Sequence, residues 1–466
     1  MTNAATTEPT TTGPVFRPGE PGFDAELAGF QTAYTHRPAL IVGALHAEDV
    51  RAAVEYAARH ELPIAVQATG HGLSVAADGG VLISTRRMTD IRIDPATRTA
   101  RVAAGVRSGA LVEAAAAHGL APLNGSSPTV GVVGYTLGGG IGILAREFGY
   151  AADHVRAVEL VTADGRQRRL IPGDELFGAV LGTGGNLGVV TALELELMPL
   201  TRVYGGQLTF DTRLVEPALE AWRLWTDDLP ESMTSAITML TIPNIPQVPE
   251  PLRGRYTATI ALAYTGDEAE GERLVAPLRA VGARLADDLR AMPYFESYGI
   301  HRDPADPHAY TATNALLSAL PAQAAATFLD RTGPDSGVPV VAGLRHLGGA
   351  LRRPGPTGIA VDHREAEYVA RVIGAPEPGV DERLADIRAG LAPWTLGHHL
   401  NFLYGGGARA DEEQTRRGYA PDTYERLAAL KATHDPRNLF RSNRNIRPAQ
   451  PATVRKPEVD REVTGA

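Results

Sequence analysis

His71 stands between two glycines in Ala68-Thr69-Gly70-His71-Gly72, directly after the short apolar run Pro63 to Gln67. A neutral imidazole is both a nucleophile and a general base. Glycine on either side removes the Cβ and permits positive φ, so ligand or backbone atoms can approach the ring closely. The same five residues also suit an ordinary turn in which a histidine caps a strand. Anion binding is a second chemistry the chain offers. One glycine-rich stretch runs from Asn124 to Gly131 and on through Gly134, Gly138, Gly139, Gly140 and Gly142, and another spans Gly182 to Gly188. Successive small residues expose backbone N–H groups that together cradle a phosphate, although tight loops account for them equally well. Neither stretch carries the dinucleotide fingerprint: Leu187 stands where Gly182-Thr183-Gly184 would need a third glycine, and there is no P-loop lysine.

The chain has 13 histidines, which raises the question of a metal. His398 and His399 are adjacent and on a strand would point to opposite faces, while His346 and His363 have no ligand partners nearby in sequence, so no metal is expected. The acidic run Asp411-Glu412-Glu413, after the flexible glycines Gly405 to Gly407, reads as a solvated loop. There is no cysteine. That removes any disulfide framework, thiolate metal site, cysteine nucleophile or cysteinyl cofactor link.

The elements that must position these residues begin as an α/β pattern. Ala39 to Val42 reads as a strand, Ala47 to His60 as an amphipathic helix and Pro63 to Gln67 as a second strand leading into the His71 turn. Strands are expected at Gly80 to Ser84, Ile91 to Ile93 and Thr99 to Ala103, with a helix at Leu111 to His118. Val155 to Thr162 and Arg166 to Leu170 form a hairpin around Asp164-Gly165, and Val189 to Leu197 alternates as a strand. After Pro199 glycine thins out. Strands at Gly206 to Phe210 and Thr257 to Ala263 alternate with helices at Glu216 to Thr226 and Glu268 to Ala280, as in a second domain, and a helix at Tyr424 to His434 stops before Asp435-Pro436.

At 466 residues two domains are the natural expectation, and 44% hydrophobic with 21% charged residues describes a globular chain. The net charge of -9 argues against a nucleic-acid partner, and no apolar run approaches the roughly 20 residues a bilayer needs. Met1 to Thr12 has neither a basic nor an apolar signal region, so a disordered tail and cytoplasmic residence are expected.

The order of the pieces resembles the berberine-bridge-enzyme-like flavoproteins of the vanillyl-alcohol-oxidase and p-cresol-methylhydroxylase (PCMH) fold. The resemblance rests on the Ala68 to Gly72 turn, then Ser127-Pro128-Thr129-Val130-Gly131 with Gly138-Gly139-Gly140, then Gly184 to Thr191. It includes the closing segment Tyr424 to Leu427, Lys431, Asp435 to Phe440 and Asn443 to Pro448. It implies an α+β, two-domain FAD-binding fold whose substrate domain is an antiparallel sheet covered by helices. The implied division is a flexible tail (1–30), an FAD-binding PCMH-type domain (31–200), a substrate-binding domain (201–415), a C-terminal segment completing the FAD domain (416–450) and a tail (451–466).

By the same resemblance the turn from Ala68 to Ser74 wraps the FAD pyrophosphate, and His71 carries the flavin covalently. Many relatives add a second link through a cysteine. Ser127 occupies that position, so the implied attachment is single. The implied cofactor contacts are Ala68, Thr69, Gly70, His71, Gly72 and Ser74; Ser127, Val130, Gly131, Gly134, Gly138, Gly139, Gly140 and Gly142; Gly185, Gly188 and Val190; and Asn401 and Asn443. Val130 falls at the gatekeeper position associated with dioxygen access. The family's Tyr-x-Asn-Tyr or Tyr-x-Asn-Phe motif becomes His399-Leu400-Asn401-Phe402. His399, with a near-neutral pKa, can replace the tyrosine as general base; Tyr404 and Tyr310 are the other catalytic candidates, and hydride loss without any side-chain base is the alternative. The implied function is an FAD-dependent oxidase or dehydrogenase of a small organic, secondary-metabolite-like substrate, with hydride transfer to flavin N5 and reoxidation by dioxygen to hydrogen peroxide. The alternatives are a flavoprotein cyclase with no net redox change and a flavin-binding module without catalysis.

Overall fold

The computed structural model describes residues 8–355, 358–404 and 412–450. Two parallel strand pairs open the fold: Leu40–Gly43 and Ile64–Gln67 both pair with Val81–Ser84. Leu40–Gly43 and Val81–Ser84 are buried on both faces, which explains why they read as continuous apolar runs without alternation. A five-stranded antiparallel sheet follows, in the order Ile91–Asp94, Thr99–Ala103, Val189–Glu196, Val155–Val161 and Gln167–Leu170. Its last hairpin turns at Gly165, with φ of 76°. Helix Ala47–Arg59 fills the space between the two sheets. Its buried Val50, Ala53, Val54 and Ala57 recur at helical spacing and form the stripe that does so.

A nine-stranded antiparallel sheet forms the second body, with Arg202–Asp211, Tyr256–Tyr264, Met233–Thr241, Val340–His346, Tyr368–Gly374 and Thr311–Leu317 side by side in that order. Alternation divides its faces. Phe210, Ile237, Ile260, Leu344, Ala370 and Leu317 pack beneath helices Val215–Trp225, Ala322–Thr332 and Val380–Leu391. The register puts Ala236 opposite Arg345, Arg345 opposite Val369 and Asn314 opposite Arg371, all on the other face. That face looks toward the first glycine-rich stretch, where Leu316 and Val369 join Ile141 and Tyr150 in one apolar cluster. The chain then returns to the first body: helix Pro421–His434 sends Tyr424, Leu427 and Leu430 into the same core as Leu40 and Val189.

Three expectations need correction. The segment expected to be a flexible tail as far as residue 30 is built into the fold from residue 8. Val15–Phe16 pairs with Leu40–Gly43, the amides of Thr12 and Gly13 donate to Asp49, and Phe23 is buried. Strand Thr395–Gly397 ends before His398 and His399, so neither lies on a strand; both are buried, His398 bonded through Nδ1 to Asn314 O and His399 against Tyr150 and Phe402. Glu412 and Glu413 begin helix Glu412–Arg416 and pair with Arg416 and Arg417; they do not form a solvated loop. Met1 to Thr7, Gly405 to Gly407, Asp411 and the tail from residue 451 lie outside the described residues. No helix among the described residues is long and apolar enough to cross a membrane, and they contain no group of three potential metal ligands.

Candidate active site

His71 sits where the parallel strand Ile64–Gln67 ends, the side of such sheets at which ligands bind. Its two flanking glycines do different work. Gly70 has φ of 72°, and a Cβ there would meet the Gly29 Cα at 2.6 Å, because residues 29–31 staple the turn through Phe30 N–H to Thr69 O and Gln31 N–H to Gly70 O. A Cβ on Gly72 would meet nothing.

The imidazole of His71 lies flat against Phe30, with centroids 3.7 Å apart and planes 14° apart. Its Nε2 is 2.8 Å from Thr129 Oγ1, which in turn is 3.1 Å from Ser127 Oγ, while Nδ1 makes no hydrogen bond among the described residues. Burial lowers the pKa of His71 to about 4, so the ring is neutral at neutral pH. The Tyr310 hydroxyl donates to His71 O at 2.6 Å, and the Tyr310 ring meets Tyr404 edge-on at 5.3 Å. Burial raises the Tyr310 pKa, which makes its phenol a donor and a poor base.

His399 departs from the near-neutral base expected. Its backbone is pinned by Asn314, which accepts from His399 N–H at 2.8 Å and donates to His399 O at 3.0 Å. Among the described residues both ring nitrogens are buried without a partner, and burial, reinforced by Arg345, lowers the pKa to about 3. The ring lies parallel to Tyr150 at 6.2 Å.

The glycines of the expected cofactor set fall into two groups. A Cβ on Gly138 would sit 1.8 Å from Asn401 Oδ1, and Asn401 Nδ2 donates to Tyr135 O at 2.8 Å, so Gly138 makes room for a protein side chain. Gly140 and Gly142 likewise close around Tyr135, and Gly139, with φ of 99°, lies under His399 Nε2. Gly188 packs on Leu160, and Val190 belongs to the main core. By contrast, Gly134, Gly184 and Gly185 face open space, and Gly131 brings the first stretch up to the His71 turn, where a Cβ on it would lie 3.5 Å from the Ala68 Cβ. Val130 lines a narrow cavity with Gly131 and Tyr135. Ser74 Oγ donates to Leu403 O at 3.0 Å, and Asn443 Nδ2 reaches Gly185 O at 3.4 Å.

Several residues that line the same space carry no sequence signal. Phe30, Tyr135, Arg345 and Arg371 become neighbours of the expected set only through the fold, and Thr129, part of the Ser127 to Gly131 motif, gains its contact with His71 the same way. Asp303 is accessible to water yet walled by protein, as in a deep cleft, and accepts from Ser126 Oγ at 2.5 Å.

These features fit FAD. The neutral nucleophile has a free nitrogen, open glycines stand at the turn and in both glycine-rich stretches, and unpartnered buried polar atoms at Tyr135 and His399 edge the cleft. Comparison with known proteins agrees. Residues 38–171 match the FAD binding domain model and residues 408–447 match the berberine and berberine-like model. The chain is 31% identical to (R)-6-hydroxynicotine oxidase of Paenarthrobacter nicotinovorans, covering 94% of this chain and 97% of that one. The crystal structure of 6-hydroxy-D-nicotine oxidase from Arthrobacter nicotinovorans superposes with a TM-score of 0.80 at 29% identity, over 95% and 99% of the two chains. Chitooligosaccharide oxidase of Gibberella zeae is 24% identical over 90% of this chain and 89% of its own. The open glycines and the poised histidine are thus those of an FAD-linked oxidoreductase, and the chain belongs to the berberine-bridge-enzyme-like family of FAD-linked oxidases.

Proposed function

We propose that FAD is tethered once, through Nδ1 of His71, and that the cleft beside it oxidises a small organic substrate with dioxygen as final acceptor and hydrogen peroxide as product. The state of His71 carries this reading: neutral, flat on Phe30, Nε2 engaged by Thr129 and Nδ1 without a partner among the described residues. The absence of cysteine leaves no residue for a second link of the usual kind. When bound, FAD supplies a two-electron acceptor for a C–H bond next to oxygen, nitrogen or an activated ring.

The chain's own residues bind and orient. Tyr310 fixes the His71 backbone, so its hydroxyl positions the turn and takes no proton. His399 Nδ1 or Nε2 accepts a hydrogen bond from a substrate hydroxyl or amine; at a pKa of about 3 it aims the donor and does not store its proton. Val130 is small and follows directly on Thr129, the partner of His71, which supports dioxygen access there, and the oxidase names of the relatives support the same acceptor.

Mass measurement on the denatured chain tests the tether. One flavin should remain on the His71 peptide and vanish in His71→Ala, and full release of flavin on denaturation would sink the claim. Peroxide formed in step with substrate loss checks the acceptor. Anaerobic turnover that leaves the flavin yellow would place the chain with the cyclases instead.

A further inference from the structure

The face of the central sheet that looks into the cleft carries two arginines, Arg345 and Arg371. Arg345 lies opposite Val369, and Arg371 is two residues along the same strand, so both side chains leave the same face as diagonal neighbours. Arg371 lies over two rings, 5.1 Å from the centroid of Phe402 and 5.5 Å from that of Tyr404, and its Nε is buried with no acceptor. Arg345 spends one N–H on Ile141 O at 3.0 Å. A guanidinium has five N–H donors, so most of these remain unused.

Arg146 shows how this chain treats a structural guanidinium. It donates to Met233 O at 2.8 Å and Leu229 O at 3.2 Å, to Leu347 O, and to His346 Nε2 at 2.8 Å. Arg345 and Arg371 lack such a cage, and among the described residues neither has a carboxylate within ion-pair distance. Asp303 is the acidic group of the neighbourhood: burial raises its pKa, but a charge on His301, the Ser126 hydrogen bond and the two arginines together lower it, and at neutral pH, where His301 is uncharged, the hydrogen bond and the arginines remain. His301 and His399 are neutral, both with pKa values lowered by burial. Two cations against one anion leave one positive charge facing the cleft. Two partly desolvated like charges are costly to keep side by side unless an anion joins them.

We propose that Arg345 and Arg371 form the recognition site for a carboxylate on the substrate, making this an oxidase of organic acids. Planar guanidinium edges match a carboxylate in a two-point hydrogen-bonded pair, and the Phe402 and Tyr404 faces hold one of them in plane. The inference rests on the flavin reading above.

The test pairs ligands of one shape and different charge: benzoate with benzamide, and acetate with acetamide. Each is titrated into the purified flavoprotein with flavin absorbance and calorimetry read in parallel. The carboxylate should bind at least about tenfold more tightly than its amide. The preference should fall toward unity in Arg371→Gln and in Arg345→Gln, and Arg371→Lys, which keeps the charge without the planar fork, should retain part of it. Amides binding as tightly as acids would overturn the proposal, as would no carboxylate binding up to about 50 mM. So would an unchanged preference in both glutamine variants, which would assign the charges to the flavin. Calorimetry reads binding whether or not flavin is attached, so a missing tether, seen by mass, is distinguished from a missing carboxylate site.

Discussion

The tautomer of a single histidine is the residue-scale question. For Nδ1 to present a lone pair, the neutral ring must carry its proton on Nε2, and the Thr129 hydroxyl, 2.8 Å away, is placed to accept it. Thr129→Val keeps the shape and removes the partner. A hydrogen bond of about 0.5–1.5 kcal/mol corresponds to roughly two- to tenfold in the fraction of correctly poised histidine. Flavin attachment followed by mass over time after mixing apoprotein with FAD should slow by that factor, and Thr129→Ser should restore it; a valine variant that loads at the original rate would refute the role. His71 and the glycines were legible in the sequence because their pattern is local. Thr129, 58 residues away, stands out there only as part of a motif, and its contact needs the turn and the first glycine-rich stretch brought together. Arg345 and Arg371 were not legible at all. Alternate positions of a strand look the same whether they face water or a cleft, and only the register between the two strands joins them.

At the scale of elements, the glycine-rich stretch and the segment 399–404 lock into each other, and the lock is steric. Gly138 has an ordinary negative φ of -98°, so its backbone would accept alanine, but the new Cβ would occupy the place of Asn401 Oδ1. Gly138→Ala should therefore destabilise by about 1–3 kcal/mol, the usual range for overpacking. The cost should be absent when Asn401 is already alanine, so Gly138→Ala/Asn401→Ala should be no less stable than Asn401→Ala alone. Thermal midpoints of the four proteins give the answer directly; additive losses would mean that the clash relaxes elsewhere. Most of the elements follow from pattern: the stripe of helix Ala47–Arg59, the Gly165 hairpin and the apolar parallel strands all form where periodicity puts them. The N-terminal edge strand Val15–Phe16 did not. Two paired residues carry no periodicity, and Phe30 gains its meaning only from the ring it covers.

At the scale of the whole molecule, a set of buried, neutral histidines shapes the response to acid. His346, His398 and His399 are all nearly inaccessible, with burial lowering their pKa values to about 3, 4 and 3. In the unfolded chain each returns to an ordinary value near 6.5. Below that pH the unfolded chain binds protons that the folded one refuses, so the contribution to stability is intact above about pH 6.5 and lost as pH falls toward the folded values. The loss is on the order of 1 kcal/mol per histidine between pH 6.5 and 5, which begins well before the carboxylates titrate. Urea midpoints at pH 7, 6 and 5 should fall in sequence. His346 gives the sharpest check, since its Nε2 lies 2.8 Å from a guanidinium nitrogen of Arg146 and protonation would set cation against cation. His346→Gln keeps an acceptor there and cannot titrate. Its midpoint should fall less steeply over the same range, and a slope equal to that of the unsubstituted protein would show that the acid response arises elsewhere.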